Sequence, residues 1–390
     1  MPAQIRLLEK EEIEEANYIW SQAFRRGRRG DSDWVDNTHG GTFTCGVWDQ
    51  NGLQAVVVVC DYRVHLGAEV IAPMGGIGGV ACLPASRGKG YAGDALRYAL
   101  QQMRERGFYL SALFPFSWDY YRRFGWEWVG VRREYRVPTG ILQVVPETGN
   151  VRAYRPEDRS ALIATYTAFA QRYRGAFLRT DVAWDQILNS TEKEHTFTYV
   201  YEQDGRIEGY FTYRGGEEKE TGLREWVALT PRAYRGLLGL LRRHEMQVEH
   251  FKWKAPADDP FWAFGYHWDI ETSIEPATQG RVVDVPRALE AWRPAPSVCG
   301  RVVIHVVDDA APWNTGTWQV SCEDRNVQVR PGTAEPQVTL DIQALSQAYY
   351  GTPDLDAVRN AGRLTVHDEA GYRLLRDLLH GPIMWINDSF

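Results

Sequence analysis

The stretch Val80–Leu96, VACLPASRGKGYAGDAL, decides the fold. Its first residues, Val80 to Leu83, read as the end of a strand, and Arg87-Gly88-Lys89-Gly90 as a glycine-rich turn. Beyond the turn, Ala92, Ala95, Leu96, Ala99, Leu100 and Met103 recur on one helical face until Gly107 stops the run. The chain therefore passes from a strand through a tight turn straight into a long helix. A helix N-terminus presents unpaired N–H groups and a partial positive charge, and a glycine there lets an anion approach the backbone. Arg87 and Lys89 add side-chain charge. The reading is a pyrophosphate site, although a turn whose glycines answer only to sterics has the same residues. No G-x-G-x-x-G is present and Gly-Lys is not followed by Ser or Thr, so neither a dinucleotide fingerprint nor a Walker loop fits.

Working outward, the first 150 residues predict strand, helix, three strands, helix, strand, helix, strand. The run QAVVVVC at Gln54–Cys60 is apolar without alternation, as in a strand covered on both faces. SWDYYRRFG at Ser117–Gly125 reads as a short helix and WEWVGVRREYRV as the strand after it. Near Val151 the opening pattern restarts, with a basic strand, an acidic helix start and an amphipathic helix, and a helix over Arg232–Gln247 falls where the first unit has its own. This order is an internal duplication. A third segment begins near Pro286: a short helix, then four stretches read as strands, among them PQVTLDIQALSQAYYG at Pro336–Gly351, and a closing helix at Asp368–His380.

A chain of 390 residues, at roughly 150 per domain, holds two or three domains. Apolar content of 44% and charged content of 24% belong to a globular protein rather than a disordered or fibrous one. The formal charge of −7, with no basic block beyond Arg25–Arg29, argues against nucleic acid as the main partner. Five cysteines stand singly and the histidines lack ligand spacing, which excludes a disulfide framework and predicts no metal site. The charged start and the lack of an apolar run of about 18 residues predict a cytoplasmic protein with no membrane partner.

The strand followed by R-x-x-G-x-A (Arg87, Gly90, Ala92) resembles the acetyl-coenzyme A signature of the GNAT acyltransferase superfamily. The resemblance implies acetyl-CoA as co-substrate. Backbone amides of Gly88, Lys89, Gly90, Tyr91 and Ala92 would hold its pyrophosphate beside Arg87, and the strand edge at Val80, Ala81 and Cys82 would pair with its pantetheine arm. Tyr121-Arg122-Arg123-Phe124-Gly125-Trp126 resembles the Y-x-R-F-G-[YW] stretch of the enhanced-intracellular-survival acetyltransferases, one branch of that superfamily. That likeness implies a general acid at Tyr121: a phenol of pKa about 10 can donate to a leaving thiolate of pKa about 8.5 at little cost. It also implies a general base at the terminal carboxylate of Phe390, whose pKa of about 3.5 in water would rise in an apolar pocket.

Members of that branch have two tandem GNAT units and a domain similar to sterol carrier proteins. The fold class implied is α/β: two GNAT-type folds, each a mixed central sheet flanked by helices, followed by an α+β sterol carrier-like domain. The boundaries read as 1–147, 148–285 and 286–390. In the second unit, LTPRAYRGLLGLL at Leu229–Leu241 reads as the equivalent turn, with Gly236 kept but Ala233 and Leu238 replacing the signature Arg and Ala. That unit is expected to bind no cofactor. The resemblance further implies direct acetyl transfer to a primary amine of an aminoglycoside-like polyamine or a lysine side chain, and a homohexamer. An arginine-rich loop, Phe24–Trp34, would repel a polycation if it lined the acceptor pocket. A longer-chain acyltransferase and a non-catalytic lipid or acyl-CoA binding protein are the alternative readings.

Overall fold

The computed structural model describes residues 3–24, 41–190, 195–215, 219–265 and 267–388. They form two compact units, one of residues 1–129, 278–382 and 388–390, the other of 130–277 and 383–387. The first begins with β1 (Gln4–Leu7), α1 (Ile13–Phe24), β2 (Phe43–Asp49), β3 (Gly52–Leu66), β4 (Ile71–Cys82), α2 (Tyr91–Glu105), β5 (Leu110–Leu113), α3 (Trp118–Arg122) and the start of β6 (Glu127–Pro138). This is the element order read from the sequence. Strands β1 to β4 pair antiparallel in sequence, and β5 lies parallel to β4 after the α2 crossover.

Glycine shapes β4 at two close approaches. A Cβ on Gly75 would run into Met103 of α2, and one on Gly79 into the indole of Trp20 in α1. The two glycines are four apart yet face opposite layers. The pairing explains it: Val58 opposes Gly79 while Val59 opposes Ile77, so Gly78 is an extra residue, a bulge that inverts the alternation. Val80 accordingly packs with the α2 core and Ala81 with α1.

The second unit repeats the scheme with β7 (Val151–Ala153), α4 (Arg159–Ala170), β8 (Arg174–Phe177), α5 (Asp181–Leu188), β9 (Thr196–Gln203), β10 (Arg206–Arg214), β11 (Glu220–Ala228), α6 (Pro231–Arg242), β12 (His250–Pro256), α7 (Phe261–Phe264) and most of β13 (Glu271–Val282). Strands β7, β9, β10 and β11 are antiparallel neighbours, and β12 is parallel to β11 after the α6 crossover. In this sheet β12 pairs with Arg132–Pro138 of β6. In the first unit's sheet β5 pairs with Gln279–Val282 of β13. Each sheet is thus completed by a strand that follows the other copy in sequence.

The third segment packs within the first unit as α8 (Val285–Ala291), β14 (Gly300–Val307), β15 (Gly316–Glu323), β16 (Asn326–Pro331), β17 (Val338–Asp341), α9 (Ile342–Tyr350), α10 (Leu355–Asn360), β18 (Leu364–Val366) and α11 (Glu369–Leu379). Its five-stranded sheet runs β16-β15-β14-β17-β18. One expectation is corrected here: Pro336–Gly351 is not one strand, because β17 ends at Asp341 and Ile342–Tyr350 is a helix. Asp341 caps it by accepting the Ala344 N–H at 2.6 Å, and Gly351 ends it in a left-handed conformation.

A fully buried ion pair joins this segment to the first-unit sheet. Arg281, on β13, donates from Nη2 to Asp308 Oδ2 at 2.5 Å, with both side chains 0% exposed. Asp308 also accepts from the N–H groups of Ala310 and Ala311 and from the Asn314 amide. Removing one partner of such a pair strands the other charge without water. Asp308→Ala is expected to cost about 3–5 kcal/mol of stability; an unchanged urea midpoint would contradict the assignment.

Candidate active site

Strands β4 and β5 are paired only through Met74–Gly76 opposite Leu110–Ala112. Beyond the bulge at Gly78 they part, and the edge of β4 from Ile77 to Cys82 has no strand on its β5 side. A cavity of about 790 Å³ occupies the gap, a volume suited to a small molecule or cofactor. Val80, Ala81 and Cys82 line it, followed by Arg87, Gly88, Gly90, Tyr91 and Ala92 of the turn. The sequence-derived cofactor residues are therefore one continuous wall, Lys89 alone standing exposed outside it with Nζ 5.8 Å from the Tyr91 ring.

The turn is anchored from below. The Leu83 N–H donates to the Gln54 carbonyl at 2.9 Å, and the buried Ser86 hydroxyl to the Gln54 side-chain oxygen at 2.6 Å. Gly90 is the N-cap of α2 at φ +92°, a conformation in which a side chain is strained. It has no hydroxyl or carboxylate to fold back over the helix end. Its carbonyl accepts from Gly93 and Asp94, while the N–H groups of Gly88, Gly90, Tyr91 and Ala92 have no acceptor among the described residues. Four unfilled donors around one turn, at the positive end of a 15-residue helix, form an anion cradle. Arg87, Lys89 and Arg123 have no carboxylate partner among the described residues, which leaves their charge available.

The opposite wall comes from α3 and the segment around it. Phe116, Tyr120, Arg123 and Phe124 face the cavity. Tyr121 does not line it: the side chain is 4% exposed and packs against Phe116, Tyr120 and Trp126 at ring distances of 5.3, 5.2 and 6.5 Å. Its hydroxyl has no hydrogen-bond partner among the described residues. Burial, and then the neighbouring Tyr120, push its pKa well above that of a free phenol. Tyr120 is also raised, chiefly by burial, with Arg123 pulling it back. The Cys82 thiol is raised by burial against the pull of Arg87 and Lys89.

Loop 117–128 is held from behind, within the same unit. Gln279 of β13 donates from Nε2 to the carbonyls of Trp118 at 3.0 Å and Trp126 at 3.3 Å, and Arg281 donates to that of Phe124. From α9, Gln343 donates to the Arg122 carbonyl and Gln347 to that of Trp128, each at 3.0 Å.

Comparison with known proteins gives this arrangement a family. Residues 4–129 and 175–282 each match a family model described as an acetyltransferase (GNAT) domain, and residues 285–387 one described as a sterol carrier protein domain. The N-acetyltransferase Eis of Mycobacterium tuberculosis is 25% identical over 343 residues, covering 82% of this chain and 80% of that one. The chain is an Eis-like member of the GNAT superfamily. Its domains make it an acyltransferase. Among solved structures, a GCN5-related N-acetyltransferase from Anabaena variabilis superposes with a TM-score of 0.88 at 20% identity, and Eis1 from Mycobacterium abscessus with 0.78 at 20%, each over 100% of both chains. These two show the shared fold.

The second GNAT copy lacks the cradle. Its α6 is capped by Thr230, whose hydroxyl accepts the Ala233 N–H at 3.2 Å, and Pro231 at the first position has no N–H to offer. Gly236, read as the turn glycine, lies in the interior of α6 against Tyr201, so the position equivalent to Gly90 is Thr230. The outer half of β11 is also occupied: Asn387 donates to the Arg224 carbonyl and to Glu225, each at 3.2 Å, and Trp385 packs into the core beside Val227.

Phe390 and residues 25–34 of the arginine-rich loop lie outside the described residues. Sequence reasoning missed Tyr120, Arg97 and Arg123 as cavity residues. Arg123 carried a signal, being a cation beside the Tyr pair; neither Arg97 nor the choice between Tyr120 and Tyr121 did. GNAT acetyltransferases use acetyl-CoA as co-substrate, which makes the cradle testable with coenzyme A itself. Arg87→Gln is expected to weaken coenzyme A binding about tenfold by calorimetry, the worth of one charge-assisted contact. Equal affinity in both proteins would contradict a phosphate role for Arg87.

Proposed function

We propose that the first GNAT unit transfers an acetyl group directly from acetyl-CoA to a primary amine, and that the second binds no acetyl-CoA. The observation that carries this reading is the continuous wall from the free edge of β4 to the four unfilled amides at Gly88–Ala92. An unpaired strand edge suits an extended amide-bearing arm, which pantetheine is, and an anion cradle one turn further on suits the pyrophosphate at its end.

In this reading the nitrogen lone pair attacks the thioester carbonyl, the C–N bond forms and the C–S bond breaks. The leaving thiolate takes a hydrogen bond from Tyr121. A phenol whose pKa lies above 10 stays protonated at neutral pH, so Tyr121 acts as a fixed donor and gives up its proton only as thiolate basicity demands. The raised pKa of Cys82 keeps that thiol protonated, which supports direct transfer over an acyl-cysteine route. The base expected at Phe390 belongs to this proposal on resemblance alone. Acceptors of the aminoglycoside-like polyamine or lysine class, a cytoplasmic location and a homohexamer stand on the same footing.

The test is release of free thiol from acetyl-CoA across a panel of amines, with palmitoyl-CoA as a parallel donor. Acetyl-CoA is expected to turn over and palmitoyl-CoA not to; no binding of acetyl-CoA at millimolar concentration would refute the proposal. Tyr121→Phe should lower kcat about 100-fold with little change in acceptor KM. Tyr120→Phe should leave kcat within a few-fold, since Tyr120 is a wall residue in this account. The reverse ranking of the two variants would move the donor role to Tyr120.

A further inference from the structure

The second unit holds a cavity of about 210 Å³ that the acetyl-transfer reading does not use. Phe169, Tyr173, Trp226, Tyr234 and Phe264 line it, and the carboxylate of Asp259 stands in its wall. Tyr234 stacks on Phe264 with ring centres 4.7 Å apart and meets Trp226 edge-on at 5.1 Å; Phe169 and Tyr173 are 5.1 Å apart. These rings bring a concentration of aromatic surface around one small space.

Asp259 is 8% exposed. Its Oδ1 accepts from the Tyr234 hydroxyl at 2.9 Å and from the Phe261 N–H at 3.0 Å. Among the described residues Oδ2 has no donor and no ion-pair partner. A carboxylate removed from water without a counter-ion is costly, and burial accordingly lifts the pKa of Asp259 to about 6. A cation in the cavity would relieve that cost.

The surrounding groups favour a cation over an anion. Pro231 and the Thr230 cap leave the start of α6 poor in free N–H donors. The Arg172 guanidinium, exposed at the rim, is engaged with the Leu229 carbonyl at 3.1 Å, and Arg133 donates to the backbone carbonyl of Asp259 rather than to its carboxylate. Aromatic faces attract organic cations through their negative quadrupole, most strongly where water is excluded.

We propose that this cavity is a binding site for a small organic cation of the alkylammonium class, held between the Asp259 carboxylate and the aromatic walls. It is a site on the second unit, separate from the acetyl-transfer groove, and stands whether or not that groove binds acetyl-CoA.

Choline and its uncharged isostere 3,3-dimethylbutan-1-ol test it, titrated calorimetrically into the full chain. Choline is expected to bind saturably, one per chain, and at least tenfold more tightly than the alcohol. Asp259→Asn keeps an acceptor for Tyr234 and Phe261 but removes the charge, and should weaken choline at least tenfold. Phe264→Leu, which removes one wall and leaves the carboxylate untouched, should weaken it several-fold and keeps the test alive if the Asn variant fails to fold. Arg87→Gln should leave it unchanged. No choline binding up to 50 mM, equal affinity for alcohol and choline, or loss in Arg87→Gln but not in the second-unit variants would each overturn the site.

Discussion

The guanidinium of Arg281 is the constraint on which the first unit depends. It lies fully buried between the carbonyl of Phe124 and the carboxylate of Asp308, so one side chain ties the loop behind the groove, the strand β13 and the sterol carrier-like segment together. A buried charge tolerates little displacement, because any gap leaves it without water or partner. Loop 117–128 therefore inherits the rigidity of a sheet and of α9, although it is itself only a five-residue helix and its flanks. The third segment has, on this geometry, a concrete task that involves no lipid: its Asp308, Gln343 and Gln347 fix the wall of the catalytic groove.

The two GNAT copies share one topological device, a pair of parallel strands that part beyond their first few residues. What differs is what fills the gap. In the first, the bulge at Gly78 and the glycine cap at Gly90 leave a strand edge and a helix end open. In the second, a threonine cap, a proline and the segment 383–387 close both. Buried Glu225 marks the difference: burial raises its pKa, but Arg179, Tyr210 and Asn387 outweigh that and hold it below the ordinary range. The copy that closed its edge became a packed body, with a small aromatic cavity near the start of α6.

Local patterns carried most of the fold. The strand, turn and helix over Val80–Met103 were legible because apolar period and glycine placement are written in consecutive residues. The exchange of β6 and β13 was not, since which strand lies beside β5 or β12 depends on residues more than a hundred positions away. Helix α9 was read as strand because nearly every residue of it is buried, so no polar face marks a helical period; Asp341 and Gly351 were the cap signals that could have revealed it. At the site, the cofactor wall was legible from a motif. Which of two adjacent tyrosines faces the cavity was not, because successive residues of a short helix differ in direction by about 100° and only the packing fixes the origin.

Hydrogen exchange with and without acetyl-CoA addresses the central claim most directly, because it reports each copy separately in one experiment. The account predicts added protection over Ile77–Ala92, at the β4 edge and the turn, with no change over β11 and the start of α6. Protection over β11 and α6, or none at Ile77–Ala92 at saturating acetyl-CoA, would contradict it.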